Sequence, residues 1–238
     1  MQKVKKESEQ DAANSLKEFL KRWPRFYYFV FDFFGPVYFG GVGPKDFLEK
    51  YPTKGKCFNL GSGTRRITSE IINVDATPYK EVDIVADVTN LPIDSDQASS
   101  VICDQVLEHV QRPSKAVNEI ERILKKGKYA YISTPFLYPY HASPDDYHRW
   151  THKGLENLFS NFEVVEVGVR CGPFSTLATN GCYFFASIFS FGSKRLYWLF
   201  VYAFTFIFFP IKFLDVFGNR MPQSMHMAAV LYCVVRKK

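Results

Sequence analysis

The run Phe58-Asn59-Leu60-Gly61-Ser62-Gly63-Thr64 carries the residue types from which a nucleoside site is built. An apolar stretch ends in a glycine turn, and Asp75 and Asp87 follow at the ends of two more apolar runs, Ile71-Ile72-Asn73-Val74 and Ile84-Val85-Ala86. Glycine adopts backbone angles closed to other residues and lets a ligand lie against the main chain. If the apolar runs are parallel strands, both carboxylates reach the same edge of one sheet. A carboxylate can accept hydrogen bonds from both hydroxyls of a ribose, and two carboxylates also favour a bound cation. The ligand this chemistry suits is adenosyl and positively charged.

Strands must present these groups. They are expected near Lys56 to Leu60, Ile71 to Val74, Ile84 to Ala86, Ser100 to Asp104 and Tyr129 to Ser133, with a sixth over Phe162 to Val169 and a seventh over Met227 to Val235. Between the fourth and fifth, Pro113 opens a helix with an apolar face of Val117, Ile120, Ile123 and Leu124, closed by Lys125, Lys126 and Gly127. Only eleven residues separate Gly63 from Asp75, whereas a parallel crossover normally takes about a dozen or more. The first crossover should therefore be short or irregular. Thr64, Arg65 and Arg66 stand where a third glycine would be. That weakens a nicotinamide reading, which wants that glycine and an acidic residue about twenty positions on.

A second signature follows: Val101-Ile102-Cys103-Asp104-Gln105-Val106-Leu107-Glu108-His109-Val110, then Glu119, Arg122, Leu124, Gly127 and Ser133-Thr134-Pro135 in register. With the glycine turn and the two aspartates, the stretch from Lys56 to about Arg170 resembles the class I S-adenosylmethionine-dependent methyltransferases. Within them it is similar to the group whose fourth strand runs into a Leu-Glu-His-Val segment. The resemblance implies an α/β fold, a Rossmann-like seven-stranded mostly parallel sheet whose last strand is antiparallel. It implies S-adenosyl-L-methionine as cofactor. Gly61, Ser62 and Gly63 would lie under its methionine part, through backbone amides and close approach, with Asn59 beside them. Asp75 would hold the ribose, with Ala76 next to it. Asp87 would accept the adenine amine, Val88 would pack on the ring, and Gln105 would lie near the sulfonium.

Beyond the fifth strand, Pro135 to Thr151 should face the acceptor, because ligands of open parallel sheets bind outside the carboxyl ends of the strands. Its His141-Ala142-Ser143-Pro144-Asp145-Asp146-Tyr147-His148-Arg149-Trp150-Thr151 resembles a segment of methyltransferases associated with surface-polysaccharide or lipid-linked chemistry. Methyl transfer to a hydroxyl needs alignment and a proton acceptor. His141 is the first candidate for that base, with His148 and His109 behind it; for His109 the alternative is a brace of the turn into the next helix. Tyr138, Asp146, Tyr147 and Arg149 are candidate acceptor-binding residues, although Arg149 could equally pair internally with Asp145 or Asp146. His141, Asp145, His148 and His152 fit no metal spacing, and no metal is expected.

The chain has 238 residues and a net charge of +6, too weak an imbalance to argue for nucleic acid and compatible with an anionic membrane surface. Five cysteines without a paired spacing point to free thiols in a reducing compartment. The polar, charged N-terminus shows no cleavable signal. Residues 1–48 read as an N-terminal helical segment: Leu16, Phe19, Leu20 and Trp23 recur at helical spacing among basic residues, and the aromatic run Phe26 to Phe34 follows Pro24. Residues 49–238 form the methyltransferase domain, interrupted at 172–226 by an aromatic helical insertion where the last two strands would otherwise form a hairpin. Sixteen residues from Leu196 to Ile211 carry no charge; as a helix they span roughly 24 Å, short of a hydrocarbon core of about 30 Å. The insertion is therefore expected to be monotopic, with Tyr197, Trp198 and Tyr202 at the interface and Lys194, Arg195, Lys212 and Arg220 near headgroups. The function expected is O-methylation of a lipid-linked sugar or other amphiphile at the cytoplasmic face of a membrane, with nitrogen and carbon acceptors left open. The alternatives are a nucleotide-binding scaffold that docks a membrane partner, and a soluble dimeric methyltransferase.

Overall fold

The structure, a computed structural model, describes residues 33–51, 54–142 and 144–238. The amphipathic segment read at 16–25 and most of the aromatic run after it lie outside the described residues. Seven strands, β1 (Cys57–Leu60), β2 (Ile71–Asp75), β3 (Ile84–Val85), β4 (Ala98–Asp104), β5 (Leu124–Pro135), β6 (Glu163–Cys171) and β7 (Val230–Arg236), form one sheet in the order β3-β2-β1-β4-β5-β7-β6. β1 to β5 run parallel, and β7 lies antiparallel between β5 and β6.

The central strands are apolar on both faces because both faces are covered. Side chains alternate strictly across the sheet. Phe58, Leu60, Val101, Cys103, Ala130, Ile132, Cys233 and Val235 pack on one side, against α2 (Pro113–Ile123) and α3 (His152–Leu158) through Val117, Ile120, Ile123 and Leu155. On the other side Cys57, Ile102, Tyr131, Tyr232 and Val234 meet Phe47 and Tyr51. Phe47 belongs to α1 (Pro44–Lys50) and is fully buried. A boundary drawn at residue 48 thus cuts through a helix that closes the sheet's second face, and the domain begins before α1.

No helix forms between β1 and β2, as the short spacing requires. Arg66 ties the loop down instead. Its guanidinium donates to Asp83 Oδ1 at 2.9 Å, to Glu81 Oε2 at 3.2 Å and to the carbonyls of Ile71 and Glu81, both at 2.8 Å. Buried Asn73 completes the knot, donating to the carbonyls of Arg65 and Glu81.

One helix end differs from expectation. α2 stops at Ile123, and Leu124 already pairs with Ala98 in the sheet. Gly127, at φ +73°, serves an irregularity inside β5, its N–H bonded to the Lys237 carbonyl, and does not cap a helix.

The insertion is a helical hairpin, α4 (Pro173–Phe189) and α5 (Lys194–Phe208), followed by further helical turns. Phe185 packs on Phe204 and Phe208, and Phe189 on Phe200, with ring centroids 5.6–6.0 Å apart. The root is polar and buried. Asp215, fully enclosed, accepts from the N–H groups of Phe174 at 2.9 Å and Ser175 at 2.8 Å, a carboxylate on the positive end of α4. Lys212 is not near headgroups: it is fully buried, and its Nζ donates to the Gly35 carbonyl at 2.7 Å. Lys194, Arg195 and Arg220 are exposed.

Candidate active site

The carboxyl ends of β1 to β5 bring the expected residues to one edge. Gly61, directly after β1, sits at φ +66°, and a Cβ there would lie 2.3 Å from Val106 Cγ2. Backbone angle and close approach both demand glycine. Gly63, at φ +58°, differs: among the described residues a Cβ would meet nothing within 4 Å. The turn therefore borders open space on its Gly63 side. Ser62 Oγ and Thr134 Oγ1 are buried there and in β5 with no hydrogen-bond partner among the described residues.

Backbone amides were expected to face the ligand, but the short crossover commits them to β2. Gly61 N and Ser62 N both donate to the Val74 carbonyl, at 2.8 and 3.1 Å, and Gly63 N donates to Asp75 Oδ2 at 2.8 Å. Asp75 is half-buried at the end of β2, and its second oxygen accepts from Thr77 N at 2.8 Å. Each oxygen keeps acceptor capacity, since a carboxylate offers about four lone-pair sites. Asp87 lies just past β3, exposed, and accepts from Thr89 N and Thr89 Oγ1 at 2.8 Å. Val88 departs from expectation. It is buried in the main core with Leu91 and Ile93, so its side chain offers no face to a ring. Asn59 is buried within β1 and donates to Asn73 Oδ1 at 3.1 Å; it braces strands and does not reach the open edge. Ala76 is exposed beside Asp75, and Arg65 is exposed on the loop. Gln105 follows β4 in the left-handed region, φ +56°, with its N–H on the Ser133 carbonyl. A non-glycine residue held there is uncommon and clusters at functional sites.

Glu119 and Arg122, quoted with the second signature, support this edge from beneath. Glu119 accepts from Leu91 N and pairs with Arg122, which donates to the carbonyls of Leu91 and Ile93, fixing the segment after Asp87 onto α2.

The acceptor loop is knotted by Arg149. It grips Asp146 with two prongs, at 2.5 and 2.6 Å, and donates to the carbonyls of Tyr138, Pro139 and His148. Arg149 and Asp146 are thus turned on each other and not outward, the internal pairing of the two alternatives. Burial raises the Asp146 carboxyl, but Arg149 and the His141 N–H outweigh it and hold it down at about 2. Tyr138 is the edge partner of His141, ring centroids 4.9 Å apart, and burial pushes its hydroxyl far above the usual range. Tyr147 is exposed and donates to Asp145 Oδ2 at 2.9 Å. His148 sits half-buried against Trp150, with Nε2 3.4 Å from the Gln111 carbonyl.

His141 and His109 come together, rings 5.1 Å apart, and both Nε2 atoms stand 3.9 Å from Oε1 of Glu108. Burial holds the His141 imidazole below its usual value and pushes the fully enclosed Glu108 carboxyl up to about 8. Glu108 received no role from the sequence, nor did Asp104, which ends β4 as Asp75 ends β2 and accepts from Ser133 Oγ. For Asp104 the signal, an acidic residue closing an apolar run, was present.

The family described as "Methyltransferase domain" matches residues 61–132. Similar solved structures include a SAM-dependent methyltransferase of Thermotoga maritima, with 14% identity, 93% of this chain and 98% of that one covered, and a TM-score of 0.54. A Bacillus halodurans protein described as a methyltransferase has 12% identity, covers 83% and 99%, and gives 0.51. The cyclase SpnF, with 16% identity, covers 84% and 86% and gives 0.50. At such identities the likeness speaks for the fold. No curated protein matches the sequence. The open space beside Gly63, the orphaned Ser62 hydroxyl and the half-buried Asp75 carboxylate fit an adenosyl sulfonium. The family match over residues 61–132, the motif order and the sheet topology together support a class I S-adenosylmethionine-dependent methyltransferase.

Proposed function

We propose that this methyltransferase methylates a hydroxyl of an amphiphilic acceptor, such as a lipid-linked sugar, at the cytoplasmic face of a membrane. The observation that carries the reading is the helical run Lys194–Gly218, 25 residues long and apolar enough to cross a membrane, with only 17% of its most apolar window buried. Its last part is anchored in protein through Lys212 and Asp215, which leaves the 15 residues of α5 free to leave the domain. At 1.5 Å per residue that is about 22 Å, less than a hydrocarbon core of about 30 Å. With α4 antiparallel to it, the hairpin suits insertion into one leaflet, as a monotopic element. Phe191 at its tip is 86% exposed, with Lys194 and Arg195 beside it. The hairpin also touches the acceptor loop: Asn180 Nδ2 donates to the Leu137 carbonyl at 3.0 Å. An acceptor held in the leaflet would thus arrive beside His141.

The cofactor, when bound, supplies a methyl group on a sulfonium. The chain's task is alignment and exclusion of water. Asp75 would hold the ribose and Asp87 the adenine amine, while Gly63 allows close approach and Gln105 lines the reacting end. Removal of the acceptor's proton falls to the cluster of Glu108, His109 and His141, because His148 rests on the Gln111 carbonyl.

Liposome flotation, combined with mass spectrometry of lipid extracts incubated with S-adenosylmethionine, tests the reading. Flotation and a lipid heavier by one methylene unit are expected. A protein that stays at the bottom of the gradient and scatters light as a dimer would remove the membrane claim.

A further inference from the structure

Glu108 breaks a general rule. It is fully buried, and among the described residues neither of its carboxyl oxygens has a hydrogen-bond partner. A buried polar group left so costs about 1–3 kcal/mol, and native structures tolerate few. What faces it is a pair of imidazoles. His109 Nε2 and His141 Nε2 each stand 3.9 Å from Glu108 Oε1, and the three atoms lie within 4.8 Å of one another.

The far side of each ring explains why the imidazoles leave Glu108 unsatisfied. His109 Nδ1 lies 2.5 Å from the Asp145 carbonyl oxygen. His141 Nδ1 lies 3.2 Å from the Pro139 carbonyl, 3.3 Å from Asp146 Oδ2 and 3.3 Å from Arg149 Nη2. An acceptor at His109 Nδ1 keeps the proton there, so that Nε2 presents a lone pair; at His141 two acceptors and the Arg149 donor share Nδ1, and the same tautomer leaves Nε2 facing Glu108. Two imidazole nitrogens and the orphaned Glu108 carboxyl then converge on one point, at 3.9 Å, beyond hydrogen-bond distance. A backbone carbonyl or carboxylate behind each histidine is also the usual support of a metal-ligating imidazole. The nearby positive charge of Arg149 is taken up by Asp146.

We infer that Glu108, His109 and His141 form a three-ligand site for a divalent first-row transition ion of the zinc or iron(II) class, with a further position open to the acceptor. Two imidazoles and a carboxylate are donors that suit such ions. Ligands about 2.1 Å from a tetrahedral ion stand about 3.4 Å apart, so closure asks each imidazole to approach Glu108 by roughly 0.5 Å and the two imidazoles to approach each other by at most roughly 1.4 Å. This revises the expectation of no metal. Among the four residues considered from spacing, only His141 is a ligand; Asp145 serves through its carbonyl, and His141's partners come from the segment after β4. On the methyl-transfer reading, the three side chains would then hold the ion in place of accepting the proton themselves, and the ion would take the acceptor's oxygen as a Lewis acid and favour loss of its proton to solvent.

The full chain, stripped with a chelator, is titrated with zinc chloride by calorimetry and in competition with a chromophoric chelator, and its cobalt(II) form is examined by visible absorption. One ion per chain is expected. Glu108→Gln, His109→Asn and His141→Asn should each weaken binding by about 100-fold or more, while His152→Asn should leave it unchanged. Circular dichroism establishes which variants fold, and the two histidine variants, at partly exposed positions, carry the test if Glu108→Gln does not. Absence of saturable binding, or unchanged affinity in the folded variants, overturns the site. The same samples titrated with S-adenosylmethionine separate this inference from the methyl-transfer reading: Asp75→Ala should lose the cofactor and keep zinc, and Glu108→Gln should do the reverse.

Discussion

Substitution of Gly63 by alanine asks whether the open space beside the glycine turn receives the cofactor. Gly63 and Gly61 are both left-handed, at φ +58° and +66°, but their surroundings differ. Among the described residues a Cβ on Gly63 meets nothing within 4 Å, while one on Gly61 would lie 2.3 Å from Val106 Cγ2. Left-handed backbone costs an L-residue about 1–2 kcal/mol, so Gly63→Ala should lower stability by about that much. Gly61→Ala adds overpacking of about 1–3 kcal/mol, for roughly 2–5 kcal/mol together, and Val106→Ala in the same chain should recover the overpacking part alone. Urea denaturation reads these differences. Calorimetry with S-adenosylmethionine should rank the folded variants differently: the Gly63→Ala methyl group enters the space assigned to the ligand, and affinity should fall at least tenfold, about 1.4 kcal/mol. A Gly63→Ala protein that binds the cofactor as the parent does would refute the assignment of that space.

Three other outcomes are expected. Asp75→Ala removes the ribose carboxylate and the acceptor for Gly63 N and Thr77 N; no heat with S-adenosylmethionine should remain, and a normal titration would return Asp75 to a bracing role. Arg66→Ala should loosen the helix-free crossover, through loss of the hydrogen bonds to Asp83, Glu81 and the Ile71 carbonyl, and lower the melting temperature. Arg66 holds the Asp83 carboxyl below its ordinary value, so that contribution is present above the unfolded carboxylate pKa and is lost as pH falls through the folded one; Arg66→Ala should therefore flatten the acid limb of the stability profile, and an unchanged limb would deny the coupling. Phe191→Asp, at the exposed hairpin tip, should abolish liposome flotation with no change in melting temperature, since Phe191 is 86% exposed. Flotation that survives would move the contact elsewhere.

What could be read from the sequence follows from how local each determinant is. A strand covered on both faces announces itself as an apolar run, so β1, β2 and β4 lie within two residues of their expected bounds. The missing first helix was legible for the same reason, as a count of residues between Gly63 and Asp75. Gly127 shows the limit: a glycine after a basic pair marks left-handed backbone, which is what it adopts, but pairing of Leu124 with Ala98 ended the helix four residues earlier. The backbone conformation was local; the helix boundary was a tertiary matter.

The site divides along the same line. Asp75, Asp87 and the glycine turn reach the edge because strand ends put them there, and strand ends are readable. Direction of bonding is not. The amides of Gly61, Ser62 and Gly63 turn toward β2 because a crossover without a helix brings β2 within reach. Arg149 turns inward because Asp146, three positions before it, offers a two-pronged partner already enclosed by the loop. Lys212 lies beneath protein because Gly35, far away in the chain, supplies the carbonyl that its ammonium needs in order to be buried. Glu108 is the sharpest case. Its neighbour His109 is adjacent in sequence, but His141 arrives on a loop beyond the next strand, and only that meeting turns a buried acid into a candidate ligand. Strand-end chemistry is therefore recoverable from spacing, whereas a cluster assembled from two loops becomes visible only when the sheet has brought them together.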